Sequence, residues 1–167
     1  MGEEEEEMIN PAEIAPDLNT VTPVDDVDLS LSSELRDALS EARSFLRFFD
    51  WGNIASEFLG THFDGIFSIF LFGIEPGRDD VDRWVWVLVG DIPPAYITCE
   101  DAKSPYEALD GYLGAMEEWV RAARDGASVA DMIPVNVPAT PEYASALDSR
   151  LKFLDEKILP LLKRSSP

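Results

Sequence analysis

The sequence predicts an α+β fold: a three-stranded antiparallel meander sheet with one long helix before it and two after it. Three observations carry this expectation. Residues 63–74 ("FDGIFSIFLFGI") and 84–89 ("WVWVLV") are aromatic and β-branched runs, the composition of strands. Leu35, Leu39, Ala42, Leu46 and Phe49 recur at three- and four-residue spacing, which makes one apolar stripe on a helix. Two later segments open on Ser104-Pro105 and Thr140-Pro141, each pairing a capping hydroxyl with a proline at the first helical position.

In chain order, residues 1–29 read as a flexible acidic tail, with a five-glutamate run and Pro11, Pro16 and Pro23 but no helical period. Residues 30–167 form a single domain on this reading. The first helix is expected from Ser33 to Asp50, ended by Gly52, and Ile54–Leu59 reads as a further helical turn. A strand over Phe63–Ile74 and another over Trp84–Val89 follow, joined by the polar "EPGRDDVD". In the second strand Trp84, Trp86 and Leu88 share one face and Val85, Val87 and Val89 the other. Both faces are apolar, so cover on both sides is expected, from three helices or from a second subunit.

"GDIPPAY" (Gly90 to Tyr96) then reads as a rigid corner, since Pro93 and Pro94 cannot donate to a ladder and Asp91 can accept backbone N–H groups in a turn. Ala95–Cys99 is the third strand. A helix from Ser104 to about Arg124 ends at Gly126, Asp131–Glu142 crosses in extended form, and a last helix runs from Thr140 with Pro160 kinking its final turn.

Charge narrows the function classes. Thirty-three acids face 13 bases, a net charge of −20, and residues 1–35 hold eleven acids and no Lys or Arg. Such a surface repels nucleic-acid phosphates and anionic membranes, so neither is an expected partner, whereas a basic protein partner is allowed by this charge without being demanded by it. The single Cys99 excludes an internal disulfide and multi-cysteine metal sites. The chain has no 18-residue apolar run, and its N-terminus is acidic where a signal peptide is basic. A soluble cytoplasmic protein is expected.

Catalytic signatures are sparse. No G-x-G-x-x-G, Walker-type or G-x-S-x-G motif occurs, and the reading assigns no catalytic residue, metal site or cofactor. Glu75, Asp79, Asp80 and Asp82 lack the glycine and distal glutamate of a calcium loop and read as a solvated turn. The one histidine, His62, stands two residues from Asp64, a spacing that puts both on one face of a strand and lets the carboxylate orient the imidazole. With Trp51, Asp91 and Tyr96 these make the candidate ligand-binding set: Trp51, His62, Asp64, Asp91 and Tyr96.

The stretches "WVWVLVGDIPPAYITCEDAKSPYEALDGYLGAMEEWV" (Trp84 to Val120) and "IPVNVPATPEYASALDSRLKFLDEKILP" (Ile133 to Pro160) resemble a group of small acidic bacterial proteins without an assigned activity. More loosely, the size and charge are similar to those of immunity proteins that neutralise bacterial toxins. That resemblance implies a non-enzymatic domain that blocks a basic partner. The alternatives are a small-ligand binder or enzyme with a pocket near the Gly90–Tyr96 corner, and an oligomeric structural protein using the apolar sheet faces.

Overall fold

A computed structural model describes residues 15–50, 52–76 and 83–165. The chain is α+β, but the expected three-stranded meander is corrected to a five-stranded antiparallel sheet in the order β1-β2-β3-β4-β5. The strands are β1 (Thr22–Pro23), β2 (Gly52–Phe63), β3 (Phe67–Pro76), β4 (Trp84–Gly90) and β5 (Ala95–Thr98). Helix α1 (Ser33–Arg47) lies between β1 and β2, so it does not precede the whole sheet. After β5 come α2 (Pro105–Asp125), α3 (Pro141–Phe153), a π turn over Leu154–Ile158 and the short α4 (Leu159–Ser165). Two long helices were expected there, without the third, short one.

Strands β3 and β4 pair Ile69 with Leu88, Phe70 with Val87 and Leu71 with Trp86. Phe67, Ile69, Leu71, Trp86 and Leu88 face a core built with Leu109, Tyr112, Met116 and Trp119 of α2 and Leu147 and Leu151 of α3. Phe70, Phe72, Ile74, Val85, Val87 and Val89 face Leu35, Leu39, Ala42 and Leu46 of α1. Helices therefore cover both faces, and each fully buried aliphatic or aromatic side chain stabilises the fold by about 1.5–3 kcal/mol. Trp86 satisfies its indole N–H on the Ala102 carbonyl at 2.9 Å, as a buried tryptophan must.

Helix α1 starts at Ser32, whose hydroxyl accepts from the Leu35 N–H at 3.0 Å. It ends three residues before the expected Asp50, which itself reverses the chain at φ 54°. Gly52, expected to cap the helix, opens β2 instead. The helical turn expected at Ile54–Leu59 is also strand. Bulges between Ile54 and Ser56 and between Leu59 and Thr61 interrupt its register against β3, and each extra residue flips the alternation of faces. Ile54 and Leu59 pack toward α1, and Glu57 meets Arg43 of α1. These positions recur at three- and two-residue spacing, which breaks the regular two-residue alternation of a strand.

The expected strand over residues 63–74 divides into two. Phe63 ends β2, and Asp64-Gly65 turns the chain with Gly65 at φ 76° and the Ile66 N–H on the Phe63 carbonyl at 3.0 Å. An Asp-Gly pair between apolar runs is a strong hairpin signal. Residues 1–14 of the expected tail lie outside the described residues, as do 77–82 of the β3–β4 connection. Residues 15–31 lie along the domain. The Asp17 N–H donates to the Lys103 carbonyl at 2.8 Å, Thr22 pairs with Leu59, Val21 packs on the α2 side and Val24 is buried on the α1 side. The segment thus wraps the β2 edge of the sheet.

The π turn ends two residues before Pro160. Its wider path accommodates the ring that would otherwise strike the carbonyl four residues back. Gly126, at φ 72°, ends α2 as expected.

At the end of β4, Gly90 holds φ 138°, and a Cβ there would lie 2.5 Å from Phe67 Cα and 2.7 Å from the Ile66 carbonyl oxygen. Gly90→Ala is expected to cost about 3 kcal/mol or more, combining backbone strain with overpacking against main chain. Gly114 lies inside α2 with nothing within 4 Å of a Cβ, so Gly114→Ala is expected to stabilise by about 0.5–1 kcal/mol. Urea midpoints of the two variants check both signs.

Candidate functional site

The second bulge in β2 determines where His62 goes. Leu59 pairs with Phe70 and Thr61 with Ile69, leaving Gly60 extra. His62 consequently sits opposite Ser68 and on the same side of the sheet as α1, while Phe63 packs toward α2. His62 Nδ1 lies 2.7 Å from Ser68 Oγ, and Nε2 lies 2.5 Å from Asp64 Oδ1. Glu34, in the first turn of α1, accepts from the Gly65 N–H and brings a second carboxylate to the imidazole. Ser32 Oγ reaches Asp64 at 3.5 Å. The expected His62–Asp64 pair is therefore formed, although Asp64 stands in the turn rather than on the strand.

Ser68, His62 and Asp64 form a continuous chain of hydrogen bonds, the residue types of a nucleophilic triad. Ser68 is only 2% exposed, so its hydroxyl is withdrawn from solvent and supports the ring.

Asp91 lies elsewhere. Its N–H donates to the Ile66 carbonyl at 2.9 Å, and its carboxylate meets Arg150 of α3 at 3.2 Å, both side chains being exposed. The expected role, accepting backbone N–H groups within its own turn, gives way to this ion pair on the α3 side. Asp91 and Ile92 line a shallow cleft of about 310 Å³ with Arg150 and Phe153. The corner is further pinned by Tyr112, whose hydroxyl donates to the Pro93 carbonyl at 2.7 Å.

Tyr96 lies on β5, opposite Val87. Two strands separate it from β2, which at about 4.8 Å per strand is roughly 14 Å. Tyr96 meets Phe49 edge-on at a ring-centroid distance of 5.2 Å, and Phe49 packs similarly against Phe45 at 5.2 Å and Phe48 at 5.4 Å. These rings line a groove of about 870 Å³ that runs along Pro94–Thr98 and is closed on its other side by Met132, Ile133 and Val135. Phe48 is 83% exposed, and Asp101 and Asp131 stand at the groove. Trp51, the remaining candidate, lies outside the described residues. The other four separate into three places: the His62–Asp64 cluster, the Asp91 cleft and the Tyr96 groove.

The sequence reading did not single out Glu34, Ser68, Phe48 or the Met132–Val135 segment as site residues. Phe48 had a visible signal, since Phe45 and Phe48 widen the apolar stripe of α1 beyond one buried face. Glu34 and Ser68 had none, because only the fold brings α1 to the β2–β3 hairpin.

No family model matches the chain, and comparison with curated proteins and with solved structures finds no significant match. Among the described residues, no helix is long and apolar enough to cross a membrane.

Burial raises the Tyr112 phenol well above its ordinary value by disfavouring the phenolate. Its folded value therefore lies above the unfolded value of about 10. The stability it contributes is complete below about pH 10 and is lost as pH rises beyond that. Tyr112→Phe is expected to lose about 1 kcal/mol at pH 8, with the Pro93 carbonyl left unpartnered. Above pH 10 the variant should lose stability less steeply than the parent chain, which urea unfolding at pH 8 to 11 measures.

Proposed function

We propose that the chain is a non-enzymatic binding domain that holds a basic protein partner in the groove along β5, in the manner of an immunity protein that blocks its target by occlusion. The observation that carries this reading is the groove itself: clustered aromatic rings, one of them almost fully exposed, along the outermost strand of an acidic protein. Exposed aromatic clusters are what binding surfaces use as anchors. Among the described residues no strand pairs with the outer side of β5, so an extended segment of the partner can lie beside it, adding main-chain hydrogen bonds to side-chain contacts.

The charge supports a basic segment as the occupant. Asp101 and Asp131 at the groove, within a field of net charge −20, favour apolar side chains flanked by Lys or Arg. Electrostatic attraction mainly speeds association and makes it sensitive to salt, while burial of the rings holds the complex together.

Phe48 is the side chain to remove, because its exposure means that folding depends little on it. Phe48→Ser is expected to leave stability within about 0.5 kcal/mol. The same change should weaken binding of an extended apolar peptide flanked by Lys and Arg by about tenfold or more. Fluorescence anisotropy of the labelled peptide at low and moderate salt reads both dependences. Equal binding of a Glu-flanked peptide with the same apolar centre, or no effect of Phe48→Ser, refutes the reading.

A further inference from the structure

At the opposite edge of the sheet, three donors from three separate elements converge. Glu34 comes from the first turn of α1, His62 from the end of β2 and Asp64 from the β2–β3 turn. One ligand atom of each lies within 4.8 Å of the other two. We propose that these three residues form a binding site for a divalent transition metal, with zinc the ion their chemistry fits. The site is independent of the groove along β5 and does not rest on the docking proposal.

The imidazole is the part that distinguishes this cluster from ordinary surface acids. The Gly60 bulge turns His62 toward α1, and Ser68 Oγ holds Nδ1 at 2.7 Å from a position 2% exposed. That support fixes the ring and leaves Nε2 to face Asp64. Metal-bound histidines are held in this way, the second nitrogen engaged by a neighbouring polar group that sets the ring's orientation. His62 is largely buried, with its side chain 15% exposed, whereas Asp64 is 73% exposed. The site thus has a fixed nitrogen and a carboxylate on the solvent side that is free to adjust.

One imidazole and two carboxylates suit zinc and its first-row neighbours, which take mixed nitrogen and oxygen donors. Calcium and magnesium favour larger all-oxygen sets. The two carboxylates balance the charge of a divalent ion and leave a fourth tetrahedral position open to solvent. Donor bonds of about 2.0–2.2 Å place neighbouring donors about 3.3 Å apart. On loading, the His62–Asp64 pair therefore opens from 2.5 Å, and rotation of Asp64 and Glu34 about the fixed ring accomplishes the change.

His62 is the only histidine in the chain, so its ring resonances are unambiguous. With the full ¹⁵N-labelled chain, zinc ions are expected to shift the Nε2 resonance in a saturable one-to-one titration, and magnesium ions at the same concentration to leave it unmoved. Glu34→Gln, at an exposed position, should weaken zinc binding about tenfold or more, and Ser68→Ala about 10- to 100-fold. Backbone amide spectra of each variant verify that the fold is intact. An Nε2 resonance that zinc does not move overturns the proposal, as does zinc affinity unchanged by Glu34→Gln and Asp64→Asn.

Discussion

Strands β3 and β4 are apolar on both faces, and the rest of the molecule follows from that constraint. From Phe67 to Ile74 and from Val85 to Val89, every side chain but Ser68 among the described core positions is apolar or small and withdrawn from water. A sheet of this kind cannot leave one face in solvent without losing a large share of its stabilisation. One layer comes from α1, the other from α2, α3 and α4. With both faces sealed by helices, the sheet itself offers only its edges and ends for polar chemistry or a docking surface. The two proposed sites lie there: one on β5, the other beside the β2–β3 turn.

Much of this frame was legible in the amino-acid sequence because the strongest signals come from the most buried elements. The run "WVWVLV" could only be a strand covered twice, and Ser104, Thr140 and Gly126 mark helix ends through local chemistry that needs no tertiary context. What escaped was β2 and β1. Two bulges reset the alternation of β2, so residues facing α1 fall at Ile54, Glu57, Leu59 and His62, a spacing that hides the two-residue period of a strand. Strand β1 is two residues long and contains a proline, and such a segment pairs only because the neighbouring edge is already in place. The Asp64-Gly65 turn was visible in principle, but its flanking aromatics merge into one apparent strand.

The candidate site was legible only in part. The spacing of His62 and Asp64 anticipated their contact, while their partners Glu34 and Ser68 come from positions that no local pattern links to them. Asp91 and Tyr96 are five residues apart in sequence yet point to opposite sides of the sheet, toward Arg150 and toward Phe49. The corner "GDIPPAY" is what separates them. Gly90 permits close approach of the β3 backbone, and Tyr112 pins the Pro93 carbonyl from the α2 layer. The corner therefore acts as a rigid divider between a cleft on one side and an aromatic groove on the other.

If sealing of both faces confines recognition to the β5 edge, amide hydrogen exchange of the full chain with and without a Lys- and Arg-flanked apolar peptide tests the account most directly. The account predicts that added protection concentrates in Ala95–Thr98, the end of α1 and residues 131–136, with the β3 and β4 amides slow in both states. Protection that appears instead across the outer surfaces of α2 and α3, leaving β5 unchanged, would contradict it.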